Sequence, residues 1–248
     1  EGERMERITD EKIFYKKMIF IGVPVVFQNL ISIGLNLIDT LMIGMLGEQE
    51  LAAVGAANQV YFIFTVSLFG LYSGAAVYTA QYWGAQDIDG VRKLLGIDYI
   101  VGFLFALIVS VVAYLFAPQI IGLFSQDQEV IGFGVDYIRI ACFSYVFSGF
   151  SGAISYNSRA IQNLTVPTII NASALCVNAV LNYLLIFGKA GCPQMGVQGA
   201  AVATLIARVF ELAALLIYVY TRKEHPFKAS PAKIFGFGKE LFIKVMRT

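Results

Sequence analysis

Asn29, Ser32, Asn36 and Asp39 recur at intervals of three, four and three residues inside an otherwise apolar run. On an α-helix that spacing stacks all four on one face. A stripe this polar is costly against lipid, so it is expected to face other helices or a water-filled cavity. Asp39 is the one carboxylate well inside the run. A carboxylate held between the cost of burial and the help of nearby donors can take up and release a proton or a monovalent cation. The alternative, an interfacial aspartate a few residues before Gly47, is disfavoured by the aligned stripe. Pro24 lies upstream of it and predicts a kink, because it removes a backbone hydrogen bond.

Two further stripes share these properties. Asn171, Asn178 and Asn182 fall at intervals of seven and four, and Thr204, Arg208 and Glu211 at intervals of four and three. Taken singly, each asparagine reads equally well as an interhelical hydrogen bond worth roughly 0.6–2 kcal/mol. Arg208 and Glu211, one turn apart, most simply pair with each other. Asp136 and Arg139 read as an interfacial pair. Tyr61, Tyr72 and Tyr145 lie within apolar runs. Most such rings pack, but ring faces also attract organic cations. Tyr145 is assigned with Asn29, Ser32 and Asn36 to the wall of a cavity.

The elements that must carry these stripes follow from charge and hydropathy. The chain has 248 residues, 58% of them hydrophobic and 14% charged, with a mean hydropathy of +0.70. A soluble domain carries roughly 25% charged residues. No Asp, Glu, Lys or Arg lies between Lys17 and Asp39, Glu50 and Asp87, Asp98 and Asp127, or Arg159 and Lys189. Spanning the hydrocarbon core takes about 20 apolar residues as a helix, so each window can hold a span. The expected fold is an all-α membrane protein with transmembrane helices near 17–44, 51–83, 93–117, 131–157, 165–188 and 197–221. Runs of this length exclude barrel strands. The first run is too long for the apolar core of a cleaved signal and lacks a small-residue cleavage site.

Lys and Arg set the orientation. Of the 18, Arg4, Arg7, Lys12, Lys16 and Lys17 precede the first helix, Arg92 and Lys93 follow the second, and Arg159 follows the fourth. Arg222, Lys223, Lys228, Lys233, Lys239, Lys244 and Arg247 follow the sixth, whereas the opposite side has only Lys189. Both termini are therefore expected in the cytoplasm, with the chain multi-pass in a bacterial-type plasma (inner) membrane. Residues 1–16 form a cytoplasmic segment, 17–221 the six-helix lobe, and 222–248 a linker. The linker ends in LeuPheIleLysValMet at 241–246, echoing IlePheTyrLysLysMet at 13–18. Transporters are commonly built from repeated halves, so this echo is read as the start of a second, truncated repeat.

The remaining residues exclude other classes. Cys142 and Cys176 sit in apolar runs, where cysteine behaves as a small hydrophobe. Cys192 has no evident partner, and no disulfide or metal spacing appears. The single histidine, His225, lies among Lys and Pro and reads as solvated. A membrane enzyme would need clustered His, Cys or carboxylates, so no enzyme, no cofactor, no resident metal and no nucleic-acid partner is expected.

The run Pro24…Asp39-Thr40…Gly44…Gly47…Leu51-Ala52-Ala53-Val54-Gly55 resembles the opening of the multidrug and toxic compound extrusion (MATE) family. Ser158-Arg159-Ala160-Ile161-Gln162-Asn163…Pro167 resembles the family's loop after helix four. Asn178…Asn182-Tyr183…Phe187-Gly188…Gly196-Val197-Gln198-Gly199-Ala200-Ala201-Val202-Ala203-Thr204 resembles its passage from helix five to helix six. The resemblance spans the chain but only the first half of a member. It implies one of two six-helix lobes around a central cavity, the C-terminal lobe being the missing partner. Drugs or small amphipathic organic cations would leave as H⁺ or Na⁺ enters. Carried over, the ion-coupling site falls on Asp39, Asn178, Asn182 and Thr204, with Na⁺ a possible occupant. Several members have a second carboxylate where this chain has Asn182. The amide leaves one negative charge rather than two and places the coupling on Asp39. The alternatives are a lipid-linked-precursor flippase of the same superfamily, for which Arg208 alone could supply a basic cavity, and a non-transporting assembly subunit.

Overall fold

The computed structural model describes residues 30, 33–222, 224–238, 241, 242 and 245. Pro24, Asn29, Ser32 and the N-terminal segment lie outside the described residues. Among those described, all regular structure is helical. Helix α1 (Ile33–Gly44) is the described part of the first expected span. It is followed by α2 (Glu48–Gly84), α3 (Ile88–Leu115), α4 (Ala117–Gly122), α5 (Gln128–Ala141), α6 (Phe143–Ala160), α7 (Thr165–Phe187), α8 (Gly196–Thr221) and the short α9 (Pro231–Ile234).

Four of these, α2, α3, α7 and α8, are each long and apolar enough to cross a membrane. Ile63, Ile108, Val180 and Ile217 are each about 60% exposed on their outer faces. Apolar surface on this scale fits contact with lipid rather than water. The bundle is built around α2, which packs against α3, α5 and α6, and α8, which packs against α5, α6 and α7. Small residues bring the backbones together. A Cβ on Gly149 of α6 would lie 3.1 Å from the Gly102 carbonyl of α3, and the buried Tyr72 hydroxyl donates to the Gly149 carbonyl at 2.7 Å.

Two departures from the expected spans exceed one helical turn or break a helix. The third span begins at Ile88 rather than 93, because the Asp87 carboxylate accepts from Gly90 N at 2.9 Å and caps the helix upstream of the expected start. The fourth span is broken rather than continuous: α5 and α6 meet at Cys142 with a 47° bend. Side-chain hydroxyls take the carbonyls at the break. Ser144 donates to Ala141 O at 2.6 Å, and Ser110 of α3 donates to Cys142 O at 2.9 Å. Helix α7 ends as its sequence requires, on Gly188 at φ 64°, a conformation that disfavours side chains and lets the chain turn back into α8.

After α8 the chain docks on the bundle. Phe227, Ile234 and Val245 are buried, and Val245 joins Ala75, Leu94 and Ile97 in a small cluster. Arg92 Nε donates to Pro226 O at 2.9 Å. His225 is buried, which corrects its reading as solvated. Its ring meets Tyr218 edge-on at 5.0 Å, and its Nδ1 accepts from Phe227 N at 3.2 Å. Burial, and then the neighbouring Arg222 charge, hold its pKa below the usual value.

Candidate functional site

The three polar stripes converge. Asp39 on α1 points toward α7, where the fully buried Asn182 donates its amide to the Asp39 carboxylate. The same Asn182 amide donates to Asn178 Oδ1 at 3.3 Å, one turn back on α7. Asn178 then donates to Thr204 Oγ1 of α8 at 3.3 Å, and Thr204 gives its own proton to Ala200 O at 3.0 Å. Residues from three helices thus form one hydrogen-bonded chain. With Asp39 ionised, its direction is fixed by its ends, since the carboxylate can only accept and the Thr204 hydrogen is already committed.

One acceptor is left over. Both donor contacts of Asn182 leave through its nitrogen, and its Oδ1 is buried without a hydrogen-bond partner. A buried acceptor without a donor is costly. The nitrogen of the same amide contacts the Asp39 carboxylate and Asn178 Oδ1, and Thr204 Oγ1 follows one residue further along the chain of bonds. The set is hard oxygen with a single negative charge, which suits a monovalent hard cation or a proton better than a soft or multivalent metal. Among the described residues, no group of three His, Cys, Asp or Glu could hold a metal ion.

The chain lies on the wall of a cavity of about 480 Å³ whose lining includes Asn36, Asp39, Asn178 and Thr204. Tyr61, Tyr137 and Tyr145 form an aromatic side. Tyr145 stacks on Phe64 at 4.9 Å and meets Tyr61 at 5.6 Å. The structure therefore brings Asn36 and Tyr145 to the cavity with Asp39, Asn178 and Thr204, whereas Asn182 is fully buried and does not line it. Tyr72, by contrast, is spent on packing. Arg208 and Glu211 pair at 2.7 Å, and Asn171 donates to the other Glu211 oxygen at 2.9 Å. The Asp136–Arg139 pair is not formed. Asp136 accepts from Gln198 at 3.1 Å, and Arg139 lies over the Tyr114 ring at 5.9 Å.

A second polar cluster escaped the sequence reading. Asp98 of α3 is 3% exposed and accepts from Asn157 of α6 at 2.6 Å. Asn157 also donates to Ala153 O at 2.9 Å and accepts from Thr79 of α2 at 2.6 Å. Asp98 entered the sequence reading only as the edge of an uncharged window. The signal that could have found it is the Asp87 cap, which sets Asp98 about three turns inside its helix.

The MatE family model matches residues 24–184. The probable multidrug resistance protein NorM of Agrobacterium fabrum is 31% identical over 216 residues, covering 85% of this chain and 45% of that protein. The multidrug resistance protein NorM of Vibrio cholerae is 29% identical over 218 residues, covering 84% and 46%. The bent form of the Vibrio cholerae MATE transporter VcmN superposes with a TM-score of 0.82 at 20% identity, over 96% of this chain and 52% of that one. The chain spans about half the length of the curated relatives it matches.

Proposed function

Because the chain belongs to the multidrug and toxic compound extrusion (MatE) family, we propose that it forms one lobe of a cation-coupled antiporter that exports drugs or amphipathic organic cations. The observation that carries the proposal is the chain from Asp39 through Asn182 and Asn178 to Thr204 on a cavity wall, with Asn182 Oδ1 left free beside it. A coupling ion, H⁺ or Na⁺, binds at the Asp39 carboxylate. Na⁺ would also draw on the amide and hydroxyl oxygens. An organic cation enters the same cavity against the tyrosine faces and is attracted by the same negative charge. Since one carboxylate cannot neutralise both, occupancy by the ion releases the substrate, which is the coupling an antiporter requires.

The second six-helix lobe is the proposed partner, closing the cavity from the other side. The excess of Lys and Arg on one side orients both termini to the cytoplasm of a bacterial-type inner membrane. Competition binding tests the coupling site. Ethidium bound to the protein in lipid nanodiscs should be displaced by Na⁺ or by falling pH, and Asp39→Asn should remove that displacement. Asn182→Ala should weaken it only in part, because Asn182 is a neutral ligand. Displacement that survives Asp39→Asn unchanged would make the carboxylate structural.

A further inference from the structure

Among the described residues lining the cavity, Asp39 is the one carboxylate and Arg208 the one cation. Arg208 is not sealed into its ion pair. Glu211, the negative end, has only 5% of its side chain exposed, and both its oxygens are occupied, by Arg208 Nη1 and by the Asn171 amide. Arg208 itself is 21% exposed and lines the cavity. A guanidinium carries five N–H donors. The pair with Glu211 uses Nη1, and the Tyr61 ring, 5.8 Å from the guanidinium carbon, offers a face rather than an acceptor. Among the described residues, Nε and Nη2 have no acceptor. A purely cationic ligand filling this space would strip water from those donors and return nothing to them, a cost that falls on binding.

We propose that the cavity is built for amphiphilic zwitterions, with the ligand's cationic group toward Asp39 and a carboxylate docked on Arg208. This inference rests on the organic-ion reading of the cavity given above and narrows it. A carboxylate matches the planar fork of a guanidinium, whereas a neutral ester or amide recovers only part of that interaction. Glu211 and Asn171 hold Arg208 in place from behind, and Tyr61 beneath it limits the ways it can turn. The ligand's apolar body lies along the tyrosine side between the two charged ends.

A matched pair of dyes tests this. Rhodamine B carries a fixed xanthylium cation and a free carboxylate, and its ethyl ester keeps the cation and loses the anion. Binding of each to the full chain in lipid nanodiscs is followed by fluorescence anisotropy. Wild type should bind rhodamine B about tenfold more tightly than the ester, the scale of one charge-assisted hydrogen bond. Arg208→Gln alone strands the buried Glu211 charge and risks misfolding. The informative variant is therefore Arg208→Gln with Glu211→Gln, which removes both charges at nearly constant shape. There the preference should fall to about one, chiefly through weaker rhodamine B binding, while Arg208→Lys should lie between. Wild type favouring the ester, or a preference that survives the double variant, would overturn the inference. Binding of the ester alone would overturn it while upholding the organic-cation reading. Binding of neither dye would sink both.

Discussion

At Asp39 and at Asp98 the same side chain is held in two ways, and the difference separates a candidate site from a brace. Asp39 lies on a cavity, with an unused amide oxygen beside it. Asp98 is sealed among three helices by Asn157, whose amide gives hydrogens to Asp98 and Ala153 while its oxygen accepts from Thr79. Removing the donor from a buried acid should cost more than neutralising the acid. Asn157→Ala is therefore expected to destabilise the protein by about 3 kcal/mol, the scale for leaving a buried acidic group without its hydrogen-bond donor, and Asp98→Asn by much less. Thermal unfolding in detergent checks this; equal losses would mean that Asp98 is not held through Asn157. The two clusters also show what a sequence can reveal at this scale. Asn171, Asn178 and Asn182 stood out because one helix repeats them on one face. Asp98, Asn157 and Thr79 lie on separate helices, each with no polar neighbour at helical spacing to mark it.

At the scale of elements, long apolar windows made the spans legible, since the hydrocarbon thickness leaves little choice of length. The break between α5 and α6 was not legible, because part of its cause is a hydroxyl from Ser110 on another helix. The docked segment after α8 was missed for a related reason. Its polar composition reads as solvent-exposed, yet His225, Phe227, Ile234 and Val245 are buried. His225 gives that segment a pH dependence. Its folded pKa lies below its ordinary value, so the undocked histidine takes up a proton more readily than the docked one. Docking is thus fully stable above about pH 6.5, the ordinary histidine value, and weakens as pH falls through it. Hydrogen exchange over 225–238, taken as protection relative to the free-amide rate at each pH, should lose protection below that pH, and His225→Phe should flatten the profile. An equal loss of protection in His225→Phe would exclude the imidazole as the cause.

At the scale of the whole molecule, the chain is a multi-pass helical lobe of the MatE family, matching about half of its full-length relatives. Orientation is the property of the whole that the charges alone set. Cysteines placed at Lys189 and Lys228 should label from opposite sides of the membrane, and labelling of both from the same side would refute this topology. Coupling depends on the whole as well, since an ion site matters only if its occupancy governs passage through the cavity. The most direct measurement is ethidium efflux from vesicles by the transporter containing this lobe, under an imposed proton or sodium gradient and at matched protein levels. Asp39→Asn keeps the side-chain volume and one acceptor oxygen but cannot carry charge, so the protein should fold and insert while gradient-driven efflux is lost. Near-normal efflux by Asp39→Asn would contradict the account, because the ion would then be coupled through some other residue.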